Sequence, residues 1–174
     1  IHKEDFKLDF SVIKRLIQLG TLTAFQNVVI SIGGMVVQSV VNGFGFIYVA
    51  GFTATNKLYG LLELAATSLG FSMATYAGQN LGAKRYDRIK SGVKAALIMG
   101  LLISFVLTAI LIPFGKVFLQ LFVSGTPDVT SQVLGIAYHY LFVMSCLLWV
   151  LYMLHIYRSA LQGMGDTFMP MVSG

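Results

Sequence analysis

Four stretches of this sequence stay apolar long enough to cross a bilayer as helices: 16–41, 50–77, 95–113 and 133–157. A fifth begins at about residue 168. Some 20 residues suffice for a helix to traverse the hydrocarbon core. No period-two alternation runs through these stretches, so the pattern predicts a helix bundle and not an outer-membrane barrel. Polar residues gather in the connectors, and their charges alternate. Lys3, Lys7, Lys14 and Arg15 precede the first span, whereas the turn 42–48 has no charge. The next connector holds Lys84, Arg85, Arg88, Lys90 and Lys94; the one after it has only Lys116 against Asp128; Arg158 then follows the fourth span. Basic loops stay in the cytoplasm, which puts the amino end and the 78–94 connector on that side. Thr126-Pro127-Asp128 reads as a helix start, with a hydroxyl cap, proline at the first helical position and an acid near the positive end of the dipole.

Composition sharpens this picture. Of 174 residues, 56% are hydrophobic and 11% charged, and the mean hydropathy is +0.79. A soluble domain carries about a quarter charged residues, so lipid must replace water over most of the surface. The net charge of +5 could suggest nucleic acid, but the basic residues lie between apolar runs and make no basic face. No nucleic-acid partner is expected; membrane lipid is. Cys146 is the single cysteine and sits inside an apolar run, which rules out an internal disulfide. The chain opens on Ile1 and ends at Gly174 just inside a new apolar stretch. A piece of a longer protein is therefore expected, with residues 1–15 as a cytoplasmic amphipathic lead and 16–174 as a partial transmembrane lobe.

Polar residues inside the spans are the functional candidates. In the first span Asn27, Ser31, Gly34, Gln38 and Asn42 recur at steps of three and four and share one face. Amides are costly against lipid, so this face should meet protein or a water-filled cavity. Interhelical hydrogen bonding, with Gly33 and Gly34 permitting close approach, is the competing and compatible reading. The second span holds the one acid within a span, Glu63. Desolvation favours the neutral acid, so this carboxyl could trade a proton for a cation; simple hydrogen bonding to a neighbouring helix is the alternative. Asn56 is seven residues away and falls within about 20° of the same face, whereas Lys57 is about 240° around it and snorkels instead. Tyr59 is a further cavity candidate. In the fourth span Tyr138, Phe142, Trp149 and Tyr152 form an aromatic line, which is more often packing or interfacial belt than a cation–π site. His139 and His155 lack partners at ligand spacing, so no metal site is expected. Nothing supports an enzyme: there is no phosphate loop, nucleophile elbow or carboxylate pair.

The connector Gly78-Gln79-Asn80-Leu81-Gly82-Ala83-Lys84-Arg85 is the most distinctive segment. Two glycines are expected to end the second helix and permit a tight turn, and the basic run reads as topogenic. "YAGQNLGAKRYDRIKSGVKAAL" resembles the cytoplasmic loop of multidrug and toxic compound extrusion (MATE) transporters, with its Gly-Gln-x-x-Gly-Ala core at Gly78, Gln79 and Gly82 and a basic stretch from Arg85. "SIGGMVVQSVVNGFG", "ATNKLYGLLELAATSLGFSMATYAGQN", "FLQLFVSGTPDV" and "YRSALQGMGDTFMP" resemble the same family, in order along nearly the whole chain.

The resemblance implies an all-α integral membrane fold: a polytopic bundle forming part of one six-helix lobe of a twelve-span, two-lobe transporter. The chain would supply spans seven to ten and the start of eleven, with an amino-terminal lobe as its missing partner. It further implies a bacterial inner-membrane antiporter that exports drugs and organic cations against protons or sodium ions by alternating access, with no other cofactor. Glu63 and Asn56 would be the coupling pair, and Gln38, Asn42, Asn27, Tyr59 and Tyr138 would line the cavity. Acids that some branches carry on the seventh and tenth spans are absent here. Two alternatives stand: a lipid-linked oligosaccharide flippase, which should line its cavity with more Arg and Lys, and a non-transporting scaffold or receptor subunit.

Overall fold

A computed structural model describes residues 9–173 of the chain. They form six helices: α1 (Phe10–Asn42), α2 (Phe46–Gly82), α3 (Tyr86–Gln120), α4 (Pro127–Cys146), α5 (Leu148–Gly163) and α6 (Phe168–Ser173). Residues 1–8, half of the expected lead, lie outside the described residues. The other half is already helical. Asp9 caps α1, its Oδ1 accepting from the Ser11 hydroxyl at 2.7 Å and the Ser11 amide at 2.8 Å. Those bonds, the hydroxyl's first, hold the Asp9 carboxyl below its ordinary range.

The turns are short, and each has a specific cause. Gly45, at φ 92° and ψ 175°, opens α2 in a conformation reserved for glycine. The α2–α3 turn departs from expectation. Gly78 and Gly82 both lie within α2, and the left-handed position falls on Lys84, at φ 56°. The Arg85 amide reaches the Asn80 carbonyl at 2.8 Å and the Lys84 amide reaches Leu81 at 2.9 Å, a Schellman closure without its usual glycine. Thr126 stands at the cap position of α4 and Pro127 begins the helix, but the Thr126 hydroxyl makes no capping bond. Its carbonyl accepts from the Thr130 amide at 2.9 Å.

Two helix boundaries also differ from the apolar runs. α3 continues through Pro113 to Gln120, so the proline sits inside the helix on an exposed face. The fourth run divides into α4 and α5 at Leu147 (φ −95°, ψ 0°). The Leu147 amide still bonds the Val143 carbonyl, so the two pieces follow one path. At the break the Thr108 hydroxyl of α3 donates to the Ser145 carbonyl at 2.9 Å. A side chain inserted into the ladder is a recognised cause of helix interruption.

α2 is the hub, packed against α3, α4 and α5. Three apolar clusters follow it from end to end. Ala54, Leu58, Leu111 and Leu141 belong to the first; Ala66, Leu148 and Tyr152 form the second; Met73, Ala77, Ile89 and Ile156 belong to the third. Small residues let the backbones meet, as in membrane bundles generally. A Cβ on Gly70 would lie 2.6 Å from the Ser159 hydroxyl, and one on Gly163 would strike the Ala74 carbonyl. Thr55, fully buried, donates to the Ala137 carbonyl at 2.9 Å.

The outer faces carry large apolar side chains in the open, among them Phe25, Met35, Phe71, Leu102, Phe105 and Phe114. Among the described helices α1, α3 and α4 are long and apolar enough to cross a membrane. α2 has the length, but Thr, Asn, Gly, Lys57 and Glu63 dilute its apolarity; it buries more residues than any other described helix. The chain has an all-α, polytopic membrane fold.

Candidate functional site

A cavity of about 520 Å³, lined by several polar side chains, lies between α1, α2 and α5. Thr23 and Asn27 enter it from α1, Glu63 and Thr67 from α2, and His155, Arg158, Ser159 and Gln162 from α5. Helical periodicity explains the set. Glu63 and Thr67 are four apart, as are Thr23 and Asn27, while His155, Arg158, Ser159 and Gln162 follow steps of three and four. Three polar stripes on apolar helices therefore face one space, and Ile30, Phe71, Leu151 and Leu154 complete its wall.

The central pair is Glu63 with His155. The His155 Nε2 lies 3.8 Å from the Glu63 Oε1, and His155 is the more enclosed of the two. At that distance they interact electrostatically without a full hydrogen bond. The other ring nitrogen, Nδ1, lies 3.0 Å from the Leu151 carbonyl. A carbonyl only accepts, so Nδ1 carries a hydrogen and Nε2 is left to face the carboxyl. The pair can then hold one proton on either side: neutral imidazole against carboxylic acid, or imidazolium against carboxylate.

Next to the cavity lies a buried amide junction. Gln26, 1% exposed, donates from Nε2 to the Pro170 carbonyl and accepts from the Gln162 Nε2 at 3.4 Å. It joins α1 to α5 and α6.

Of the residues singled out in sequence, Glu63 and Asn27 meet in this cavity. The others lie elsewhere. Asn56 is exposed two turns up α2, about 10 Å along the axis, with Oδ1 3.5 Å from the Tyr140 hydroxyl. Gln38 and Asn42 pair with each other at 2.9 Å near the end of α1. Tyr59 packs against the Ala66–Leu148–Tyr152 cluster. Tyr138 donates to the Ile112 carbonyl at 2.6 Å, with Lys116 Nζ 5.2 Å from its ring centroid, which makes it a packing residue between α3 and α4. Gly78 lies against Gly163, a built Cβ meeting that carbonyl at 3.0 Å. Gln79 and Arg85 are exposed at the turn, and Gly82 is the last residue of α2. Gly33 and Gly34 face open space among the described residues, so no helix makes use of their small size there.

His155, Arg158, Gln26 and Gln162 were not singled out as site residues. His155 lacks a partner at helical spacing, since its acid is 92 positions away in sequence. Arg158 reads as a loop charge only if the helix ends at Tyr157; α5 runs on to Gly163 and carries it along the cavity wall. Gln26 adjoins Asn27, and periodicity cannot say which of two neighbouring amides is buried.

Apolar outer faces around an inward polar cavity with ionisable groups define an integral membrane protein with a solute-sized interior site. Its residues 23–173 match the MatE family model, and the chain belongs to the MATE family of membrane transporters. It is similar to two Bacillus subtilis (strain 168) proteins. One is the probable multidrug resistance protein YoeA, 26% identical over 118 residues, or 68% of this chain and 26% of that protein. The other is the probable multidrug resistance protein YpnP, 30% identical over 116 residues, or 67% of this chain and 26% of that protein. The matched region spans about a quarter of the length of these relatives.

Proposed function

We propose that this chain is part of the carboxy-terminal lobe of a bacterial inner-membrane antiporter that exports amphipathic or cationic compounds in exchange for protons or sodium ions. Glu63 is the coupling carboxyl and His155 its proton partner. The observation that carries this reading is the Glu63–His155 pair inside a polar cavity of about 520 Å³. When the pair holds its proton on the acid, the cavity presents no anion to a cation. When the proton leaves, a carboxylate in a cavity that Asn27 and Thr67 also line attracts one. Competition between proton and cation for one carboxyl is the elementary requirement of exchange, and rocking of two lobes about such a site supplies alternating access. The relatives' description as multidrug resistance proteins agrees with a cavity walled partly by Phe71, Leu151 and Leu154.

The test is Glu63→Gln in the intact protein, reconstituted in liposomes with imposed proton or sodium gradients. Membrane insertion should be unchanged and gradient-driven efflux lost. Undiminished efflux by the variant would remove Glu63 from the mechanism. Dependence on one gradient alone identifies the ion.

Arg158 favours a second reading. A guanidinium in the cavity wall suits a phosphate-bearing substrate, as a lipid-linked oligosaccharide flippase would require. Under that reading Arg158→Gln abolishes transport and Glu63→Gln spares it, the reverse of the pattern expected here.

A further inference from the structure

We propose that the groove between α3 and α5, at the end of the bundle that carries Lys84, Arg85 and Arg88, binds an anionic phospholipid. This groove is separate from the Glu63 cavity, has a volume of about 600 Å³ and is open along one side. Ile89, Val93 and Leu97 of α3 form one wall; Ala160 and Leu161 of α5, with Met164 just after it, form the other. Lys90 and Lys94 stand on its lip, both exposed.

Three observations together point to this occupant. The first is charge. Lys90 and Lys94 are one turn apart on one face, roughly 6 Å along the axis, and among the described residues neither has a carboxylate within 4.0 Å, although Asp87 is three positions from Lys90. Two ammonium groups with no carboxylate partner among the described residues, set on an apolar slot, call for an anion with a hydrocarbon body. The second is depth. Basic connectors mark the cytoplasmic side, and that leaflet holds the anionic lipids. Side chains on a helix tilt toward its amino terminus, which for α3 is this same end, so both lysines lean toward the headgroup zone. The third is the pair of tyrosines. Tyr86 and Tyr157 also line the groove, and tyrosine is favoured where one end of a ring is apolar and the other wet. The phosphate would bridge Lys90 and Lys94, and an acyl chain would lie between Val93, Leu97 and Leu161. A zwitterionic lipid offers the same chain but cancels the charge.

Native mass spectrometry of the intact protein tests this, with phosphatidylglycerol and phosphatidylcholine of identical chains titrated onto delipidated protein. The wild type should retain phosphatidylglycerol preferentially. Lys90→Gln/Lys94→Gln should cut that preference roughly 30-fold, about fivefold per lysine near an anionic headgroup, and leave phosphatidylcholine retention unchanged. The control Lys84→Gln/Lys116→Gln removes equal charge outside the groove and should keep the preference. Leu161→Trp, at a partly exposed position of the groove wall, fills the slot and should lower retention of both lipids. Equal retention of the two lipids by the wild type would overturn the proposal. So would a preference that survives in Lys90→Gln/Lys94→Gln, or one that the control loses equally. All four proteins are compared by size-exclusion profile, because exposed lysines can be replaced without loss of packing.

Discussion

α1 and α2 are of similar length and composition, yet they stand in opposite relations to the rest of the protein. α2 buries nine residues along its length, from Gly51 to Asn80, and touches four helices, α1, α3, α4 and α5. α1 buries one, Gln26. The line of contact along α2 is made of small residues, so its stability comes from backbones held close over many turns. α1 meets the bundle through a polar junction and the rim of a cavity. Apolarity alone does not distinguish a helix that is core from one that is wall. The distinguishing feature is where the small residues find a partner: Gly70, Gly78 and Gly163 do, and Gly33 and Gly34 do not.

The sharpest way to break this contrast is to put the same methyl group on both sides of it. Gly163→Ala should destabilise the protein strongly, by about 3 kcal/mol or the top of the overpacking range, because its Cβ would strike the Ala74 backbone, which cannot move aside as a side chain would. Gly33→Ala should be neutral or stabilising by roughly 0.5–1 kcal/mol, through helix propensity alone. Thermal unfolding in detergent compares the two, and equal effects would dissolve the distinction. Next in size is Gln26→Leu. It removes the bonds to the Pro170 carbonyl and from the Gln162 amide and should cost about 1–3 kcal/mol, with faster hydrogen exchange in α1 and unchanged exchange in α2. A smaller effect is expected from Thr108→Val, which withdraws the hydroxyl at the Ser145 carbonyl. About 0.5–1.5 kcal/mol should be lost, with the exchange change confined to the α4–α5 break. The smallest concerns Asp9. Its carboxyl is held below its ordinary value of 3.8 by the Ser11 hydroxyl and then by backbone amides. A depressed folded value means that the cap contributes fully above the unfolded value and is lost as pH falls through the folded one. Acidification below pH 3.8 should therefore fray only the first turn of α1, visible as amide exchange at Ser11 and Val12.

The helical bundle was legible in sequence because its main signal is physical: long apolar runs fold as helices and cannot face water. Helix ends were less so. Pro113 looked like a stop, but an exposed face let α3 run through it. The Leu147 break carries no glycine or proline, and its cause is a hydroxyl from another helix, 37 residues away. Glu63 stood out as an acid where acids are expensive. His155 did not, because a histidine in an apolar run is unremarkable until its partner is known, and that partner lies on α2. Tyr138 and Tyr59 are cavity candidates on the resemblance; in the described bundle Tyr138 packs between α3 and α4 and Tyr59 against the Ala66–Leu148–Tyr152 cluster, contacts between helices that no single stretch of sequence displays.

The Gln26 junction bears on how the molecule is assembled. Gln26 and Pro170 are 144 residues apart, so the contact that positions α1 cannot exist until nearly all of the described chain has left the ribosome. Chains emerge amino end first, and their parts fold as units when complete. α2 can pair with α3 as soon as both are inserted, and with α4 and α5 soon after. Of the described helices α1 enters the bilayer first and completes its contacts last, since the bond to Pro170 must wait for α6, and until then its amide must be hydrated or hydrogen-bonded elsewhere. The order of synthesis and the order of docking therefore run in opposite directions for this helix, and a chain truncated before Pro170 would insert α1 without fixing its place.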